Sequence, residues 1–326
     1  MTTHAKRWPV AAAALATLLG TACTDYGGDL SGEGGGAGGE DTITVSETAG
    51  TPAAFLKYGV QEGYFEAEGL DLQIEASGGG ATVIPALISG DIDIAGSNLV
   101  SAMIAMGEDM PLRMVAAGTS TSEESEDDFS SLMVPEDSPI EDVEDIEGAR
   151  IGVNSLQNIN DVVIYSALAE HDIEPGGVEL VEIPFPDMVP SVERGDVDAG
   201  LLIEPFATMG RSEGLRDLMR PYTELQPNLQ IGTFLMTEEL VGEDPELVSA
   251  FQAGVQATAD SIHEDPDSFR EALPEITDLD PDVAGEVNLP DWQGRSDRES
   301  IELIHESMLE YDLTDGAPDF DEVLLY

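Results

Sequence analysis

Residues 84–93 read IPALISGDID, and residues 189–198 read VPSVERGDVD. The two segments match in character at most positions and lie 105 residues apart. Each predicts a helix that ends at a glycine, Gly90 or Gly195, in the left-handed conformation that glycine adopts without strain. Each helix then leads through an Asp-X-Asp turn into a strand, where the aspartates satisfy turn amides. We therefore predict two lobes of one α/β type, although chance similarity at so common a junction is the alternative.

The segments around these junctions alternate between short apolar runs and helical patterns. From Asp41 to Ala117 the predicted order is β-α-β-α-β-α-β, and a second block over 150–203 alternates in the same way. Such alternation implies a mostly parallel sheet flanked by helices. After about Gln226 the pattern becomes helical, and Asp244-Pro245-Glu246 is a typical helix start. This tail predicts no sheet of its own, so we expect it to pack back on the first lobe.

The chain is strongly acidic. It has 67 Asp and Glu residues against 12 Lys and Arg residues in a total of 326, a formal net charge of −55. A field of this size and single sign would repel nucleic acid and anionic membrane surfaces, so we expect neither as a partner. The acids are spread along the chain rather than clustered at ligand spacing, which favours the solvated surface of a halophilic protein. A calcium store or a receptor for cations is the alternative.

The first 41 residues predict export and tethering. Lys6 and Arg7 precede a short apolar run, which is typical of a signal peptide over 1–22. The run ends at Cys23, the only cysteine of the chain, and resembles the lipobox of bacterial lipoproteins, with Gly20 where leucine is usual. We expect Cys23 to carry a lipid anchor; an ordinary secretory signal with an incidental cysteine is the alternative. Residues 23–41 are Gly-rich, and a flexible coil of this length reaches about 23 Å.

No motif for catalysis or metal binding occurs. The four histidines are isolated and none has metal-ligand spacing. The sequence has no HExxH, GxSxG or phosphate-loop motif and no cysteine other than Cys23. We therefore expect a protein that is not an enzyme and that holds no cofactor and no metal.

The candidate ligand site lies in the loops that follow the predicted strands, because ligands of open α/β sheets bind at the carboxyl ends of the strands. Exposed N–H groups at a helix start suit an oxygen of the ligand. Polar side chains supply hydrogen bonds, and aromatic rings stack on planar ligands. Taken singly, each such residue is at least as well explained as a cap or turn residue. The predicted ligand-binding residues are Phe55, Gly79, Gly80, Thr82, Ser97, Asn98, Thr119, Asn154, Asn158, Asp187, Glu204 and Phe206.

Six segments carry a resemblance to a known family: AFLKYGVQEGYFEAEGLDL (54–72), ALISGDIDIAG (86–96), IEGARIGV (146–153), GDVDA (195–199), EPF (204–206) and DPELV (244–248). Together they resemble the solute-binding proteins of ABC importers for nitrate, aliphatic sulfonates, taurine and thiamine precursors. No single segment is specific, but their series keeps the family's order from residue 42 to about residue 326.

The resemblance implies a two-lobe, type 2 periplasmic-binding-protein fold, with the ligand in the cleft between the lobes and closure by hinge bending. It places lobe 1 at 42–130, lobe 2 at 131–228 and a return to lobe 1 at 229–326. It implies a monomeric, extracytoplasmic receptor that delivers a small molecule to an ABC permease and its ATPase and touches the membrane only through its lipid anchor. A biosynthetic enzyme on the same fold and a sensor for a partner kinase are the alternatives.

The predicted cleft loops contain no Lys or Arg, which counts against small inorganic anions such as nitrate. Glu204 suits an amine or a protonated ring nitrogen, and with Phe55 and Phe206 it suits a planar N-heterocycle such as a pyrimidine precursor. The same glutamate is equally well explained as a cap of the helix at Pro205. An organosulfonate held by backbone amides stays open.

The acidic surface predicts a dependence of stability on salt. Lowering the salt from molar to millimolar concentration lengthens the Debye screening distance from about 3 Å to more than 30 Å. Self-repulsion of the acids then grows, so we expect the melting temperature to fall. A melting curve measured by circular dichroism across this range checks the expectation, and salt-independent melting would leave the charge unexplained.

Overall fold

A computed structural model describes residues 42–277, 279–316 and 318–325. The predicted signal peptide (1–22), Cys23 and the tether (23–41) lie outside the described residues. Within the described ranges, no helix combines the length and the apolar character that a bilayer span needs.

The described chain alternates strands and helices up to β4 and again from β7 to β11, with the strands β5 and β6 between these two blocks, and is then largely helical. In chain order the elements are β1 (Ile43–Thr48), α1 (Thr51–Gln61), α2 (Tyr64–Ala67), β2 (Leu72–Ser77), α3 (Gly80–Ser89), β3 (Ile94–Asn98), α4 (Leu99–Gly107), β4 (Leu112–Ala117), β5 (Thr119–Ser120), β6 (Ser130–Pro135), β7 (Arg150–Val153), α5 (Ile159–Glu170), β8 (Glu179–Glu182), α6 (Phe185–Glu193), β9 (Ala199–Ile203), α7 (Phe206–Ser212), β10 (Leu215–Met219), α8 (Pro221–Leu225), β11 (Gly232–Thr237), α9 (Glu238–Glu243), α10 (Pro245–Glu264), α11 (Pro266–Thr277), α12 (Pro281–Ala284), β12 (Asp291–Trp292), α13 (Arg298–Glu310) and α14 (Phe320–Val323).

Two five-stranded sheets form the centres of two lobes. The sheet of lobe 1 has the order β2-β1-β3-β11-β4, and that of lobe 2 has the order β8-β7-β9-β6-β10. In each sheet the first three strands are parallel, and the fourth, β11 or β6, is antiparallel to both of its neighbours. The two lobes therefore share one topology. The mostly parallel sheets predicted from the sequence are confirmed, with one antiparallel strand in each that the alternation did not indicate.

The repeated segments 84–93 and 189–198 occupy equivalent places in the two lobes. Gly90 follows α3 with φ 76°, and Gly195 follows α6 with φ 71°, so both glycines adopt the predicted left-handed conformation. In lobe 1 the Thr44 N–H donates to Asp93 Oδ2 at 2.8 Å, and the Asp93 N–H donates to the Thr44 carbonyl at 2.9 Å. In lobe 2, Arg150 and Asp198 make the same pair of bonds, both at 2.8 Å.

Two chain crossings connect the lobes and run side by side. The Thr121 N–H donates to the Leu229 carbonyl at 2.9 Å, and the Ile231 N–H donates to the Thr119 carbonyl at 2.8 Å. The first crossing leads from β5 into β6, and the second leads from α8 into β11. Each crossing therefore ends in the antiparallel strand of the lobe that it enters.

Helices α10 and α11 of the C-terminal region pack on lobe 1, whereas α13 contacts α4 of lobe 1 and α5 of lobe 2. α10 contacts α1, α2 and β4, and α11 contacts α1. The buried ring of Phe251 on α10 lies 5.8 Å from that of Phe65 and 5.2 Å from that of Phe234 on β11. Phe55 on α1 stacks on Trp292 of β12, with ring centroids 4.9 Å apart. These aromatic contacts form the core on one face of the lobe 1 sheet.

We expect Asp93→Ala to lower the free energy of unfolding by about 1–3 kcal/mol, because the substitution removes a charge-assisted hydrogen bond and leaves the Thr44 N–H without its acceptor. Asp91→Ala is the matched control: it removes the same charge two residues away, from an exposed side chain bonded to Ser89. Urea unfolding followed by circular dichroism measures both. Equal effects of the two variants would contradict a special role for Asp93.

Candidate functional site

A cavity of about 50 Å³ lies where the carboxyl ends of the two sheets face each other. Roughly 10–15 Å³ on this measure holds one water molecule, so the space suits a small solute. Both lobes contribute walls, as expected for a ligand site of open α/β sheets. The lining residues are Glu47, Thr48, Pro52, Ser97, Asn98, Thr119, Phe129, Asn154, Ile159, Phe185, Ile203, Tyr222, Ile231 and Gly232.

The polar part of the lobe 1 wall is held by local hydrogen bonds. Asn98 caps α4: its Oδ1 accepts from the Ser101 N–H at 2.9 Å, and its Nδ2 donates to the Ser101 hydroxyl at 3.1 Å. The Ser97 hydroxyl donates to the Asn98 carbonyl at 3.1 Å. Side chains locked in this way present a preorganised surface to a ligand.

Glu47 is the one acidic residue among the lining residues. Glu47 lies opposite Gly96, because strand β1 pairs with β3 so that Val45 faces Ile94 and Ser46 faces Ala95. A Cβ atom at position 96 would lie 1.9 Å from Glu47 Oε2, so only glycine leaves room for the carboxyl group. The side chain is 6% exposed, and its Oε1 accepts from the Thr48 N–H at 2.6 Å. Burial raises the pKa of Glu47 to about 7, against the smaller opposing effect of the Thr48 hydrogen bonds.

On lobe 2, Asn154 is oriented by a network of amide side chains. Its Oδ1 accepts from Asn158 Nδ2 at 3.0 Å and from Asn160 Nδ2 at 2.7 Å, and the Tyr222 hydroxyl donates to Asn160 Oδ1. With its oxygen occupied, Asn154 directs its Nδ2 toward lobe 1 and donates to the Gly78 carbonyl at 2.8 Å. This bond joins the two walls directly.

Aromatic rings complete the lobe 2 side. Phe129 and Tyr222 are buried, with ring centroids 5.8 Å apart. Phe185 lines the cavity and stacks on Phe206 behind it, at 6.0 Å and an interplanar angle of 15°. A ligand in the cavity therefore meets apolar surface from lobe 2 as well as the Asn154 amide.

Glu204, the predicted partner of a cationic ligand, is engaged within the protein. It is fully buried and accepts from the Thr208 N–H at 3.0 Å, from the Thr208 hydroxyl at 2.9 Å and from Arg211 Nη1 at 3.1 Å. Burial raises the pKa of Glu204, and the Arg211 charge opposes that rise. Glu204 does not line the cavity, so the carboxyl group that the cavity presents belongs to Glu47.

Four of the predicted ligand-binding residues, Ser97, Asn98, Thr119 and Asn154, line the cavity. Asn158 lies directly behind this wall, because it supports Asn154.

The two predicted glycines pack against cavity residues rather than facing the space. A Cβ atom at Gly79 would lie 2.7 Å from Asn154 Nδ2, and one at Gly80 would lie 2.2 Å from the Ser97 hydroxyl oxygen. Both positions therefore need glycine for close packing.

The other predicted side chains lie elsewhere. The Phe55 ring is buried in the core against Trp292, so it has no face free for a ligand, and Phe206 lies behind Phe185. The Thr82 hydroxyl donates to the Gly79 carbonyl at 2.7 Å, and Asp187 is exposed in the first turn of α6.

The family model described as NMT1/THI5 like matches residues 52–269. The chain belongs to the NMT1/THI5-like family. It is 26% identical over 176 residues to the taurine-binding periplasmic protein of Escherichia coli (strain K12), which covers 53% of this chain and 51% of that protein. It is 24% identical over 254 residues to the putative binding protein YtlA of Bacillus subtilis (strain 168), a match that covers 75% of this chain and 74% of that protein.

The fold resembles that of solved periplasmic binding proteins. The periplasmic aliphatic sulphonate binding protein SsuA from Escherichia coli matches with a TM-score of 0.67 at 15% identity, over 87% of this chain and 97% of that one. The two-lobe α/β fold predicted from the sequence is thereby confirmed. The match to the taurine-binding protein spans only about half of that relative's length.

In this member of the NMT1/THI5-like family, sequence reasoning did not select Glu47, Phe129 or Tyr222. Glu47 carried a usable signal, since it lies in the loop after one predicted strand, and Gly96 comes just after another. Phe129 adjoins β6 and Tyr222 lies in α8, and the apolar pattern did not predict these two elements.

The buried carboxyl group predicts a pH-dependent stability. The folded-state pKa of Glu47 is about 7, above the ordinary value of 4.5, so the folded state holds its proton more tightly than the unfolded state. The contribution of Glu47 to wild-type stability should therefore fall as pH rises from about 4.5 to about 7. We expect Glu47→Gln to be more stable than wild type by up to about 3 kcal/mol at pH 8 and similar to it near pH 4.

Urea unfolding at pH 4, 6 and 8 measures this difference. Glu75→Gln, at an exposed position of the neighbouring strand β2, is the matched control and should leave the pH profile of the wild type unchanged. A Glu47→Gln profile parallel to that of the wild type would contradict the assignment.

Proposed function

We propose that the chain is the extracytoplasmic solute-binding component of an ABC importer, which encloses a small organic solute between its lobes and delivers it to the permease. The observation that carries the proposal is the small cavity walled by both lobes, with Asn154 of one wall bonded to Gly78 of the other. Membership of the NMT1/THI5-like family and the names of the taurine-binding and sulphonate-binding relatives support it.

Hinge closure follows from how the lobes are connected. The paired crossings at Thr119–Thr121 and 229–231 are the axis about which the lobes rotate. The bond from Asn154 to Gly78 and that from the Thr51 N–H to the Glu204 carbonyl, at 3.0 Å, belong to the closed arrangement. A ligand that touches both walls favours that arrangement over the open one, because only the closed form provides all of its contacts.

The walls define the solute as small and partly apolar. Phe185, Phe129 and Tyr222 suit a short alkyl chain or a planar ring, and the Ser97, Asn98 and Thr119 side chains suit oxygen atoms of the ligand. An organosulfonate and a pyrimidine-type N-heterocycle are the two candidate classes. Neither Arg nor Lys lines the cavity among the described residues, which disfavours a bare inorganic anion such as nitrate.

The proposal includes the setting of the receptor. Cys23 is the lipid anchor, residues 23–41 are the tether, and the body works as a monomer with the permease and its ATPase as partners. The solute is bound and released unchanged, so the chain needs no cofactor.

Ligand-induced stabilisation tests the proposal. We expect at least one probe among taurine, isethionate, ethanesulfonate, 4-amino-2-methylpyrimidine and nitrate to raise the melting temperature, because a ligand that binds only the folded state stabilises it by mass action. The bound probe should be recovered chemically unchanged. If none of these probes shifts the melting temperature at millimolar concentration, the proposal fails.

The Asn154 contact gives a sharper test of the site. Asn154→Ala removes the bond to Gly78 and should weaken binding of that probe about tenfold, or ~1.4 kcal/mol. Gln61→Ala, a similar truncation at the exposed end of α1, should leave the affinity unchanged. Isothermal titration calorimetry measures both variants, and an Asn154→Ala variant that binds as tightly as wild type would move the ligand away from this cavity.

A further inference from the structure

The Glu47 carboxyl group has no cationic partner among the described residues. It lines the cavity, is 6% exposed, and accepts a hydrogen bond from the adjacent Thr48 N–H. Arg211 and Arg220 of lobe 2 are engaged elsewhere: Arg211 bonds Glu204 and Asp217, and Arg220 bonds Asp217 and the Asp128 carbonyl. A carboxylate left in this state costs free energy, because burial removes water without supplying an opposite charge.

The backbone places this carboxyl group in the cavity. The register of β1 against β3 brings Glu47 beside Gly96, and the absent Cβ atom at Gly96 is what admits the carboxyl oxygens. A shorter or apolar side chain would fit the same space without the cost of burying a charge. Packing therefore does not account for a carboxyl group at position 47, whereas an interaction with a solute in the cavity does.

We propose that the solute carries a cationic nitrogen, a primary ammonium or a protonated ring nitrogen, that binds the Glu47 carboxylate. The inference rests on the proposed solute-binding function and specifies its ligand class. It assigns to Glu47 the role that the sequence suggested for Glu204, whose charge is already matched by Arg211.

The rest of the cavity fits such a solute. The nitrogen lies against the lobe 1 wall at Glu47, and the remainder of the molecule extends toward Phe185 and the Asn154 amide of lobe 2. A sulfonate group on the same molecule would be received by the Thr119 hydroxyl and by the Asn98 amide N–H that is not donated to Ser101. A zwitterion is thus accommodated, whereas an anion without the nitrogen places negative charge beside Glu47.

Two matched pairs of probes separate the charge from the shape of the ligand. Taurine and isethionate differ by an ammonium in place of a hydroxyl, and 4-amino-2-methylpyrimidine and 4-hydroxy-2-methylpyrimidine differ in the basicity of the ring. Calorimetric titration at pH 8 for the sulfonates and at pH 7 for the pyrimidines gives the affinities. We expect the more basic member of at least one pair, taurine or 4-amino-2-methylpyrimidine, to bind at least tenfold more tightly.

Glu47→Gln keeps the size of the side chain and removes its charge. We expect it to weaken binding of the preferred probe at least tenfold and to reduce the preference within the pair to about twofold or less. Glu75→Gln, which removes the same charge from the exposed surface of β2, should retain both affinity and preference. Unfolding curves of the ligand-free variants establish that each is folded.

The outcomes distinguish this inference from the function on which it rests. If isethionate, ethanesulfonate or nitrate binds as tightly as the aminated probes, the chain is a solute-binding protein and the Glu47 inference is wrong. The inference is also wrong if folded Glu47→Gln binds the preferred probe with wild-type affinity. If no probe of any charge binds, the proposed function fails and the inference fails with it.

Discussion

In each lobe, one aspartate joins two neighbouring strands through two hydrogen bonds. The main-chain N–H of the aspartate donates one of them, and its side chain accepts the other. Asp93 holds Thr44 at the start of β1, and Asp198 holds Arg150 at the start of β7. These bonds fix the register of each pair of central strands at their amino ends. Because the strands are parallel, the register fixed there also determines which side chains meet at the carboxyl ends, where the cavity lies.

The consequence is clearest in lobe 1. With Asp93 bonded to Thr44, Ser46 pairs with Ala95, and Glu47 arrives beside Gly96. A register shift of one residue would turn the Glu47 side chain to the other face of the sheet. The glycine-aspartate junction that terminates α3 therefore acts on the ligand site from the opposite end of the strand, about 10–13 Å away at 3.3 Å per residue.

Local signals explain what could be predicted from the sequence. The helix–glycine–aspartate junctions and the parallel strands depend on short-range geometry, so Gly90 and Gly195 were identified from the sequence alone. The antiparallel strands β6 and β11 were missed because each follows a crossing, and its partners are chosen by the lobe that it enters rather than by its neighbours in the chain.

The same limit applies to the site. Phe55 and Glu204 both follow strands in the sequence. Phe55, however, is covered by Trp292, which lies 237 residues further along the chain. The charge of Glu204 is matched by Arg211, one helical turn beyond its hydrogen-bond partner Thr208. Only the folded chain shows which of two acidic residues after a strand is matched by a cation. A hydrogen-bonded residue such as Asn98 was easier to identify, because its role as a cap and its position at the strand end coincide.

Glu47 also connects the charge of the ligand to the lobe closure that we propose. In the proposed open form, solvent would reach the carboxylate between the separated walls and hydrate its charge. Closing the lobes without a ligand buries that charge without a partner, so empty closure is opposed by the desolvation of Glu47. A cationic solute removes this penalty only in the closed form, and this difference between the two states is what a ligand needs in order to shift their populations. The unmatched carboxyl group thus lowers the stability of the closed, ligand-free protein. Because the proposed cationic solute supplies the missing charge, the same carboxyl group makes closure depend on that solute.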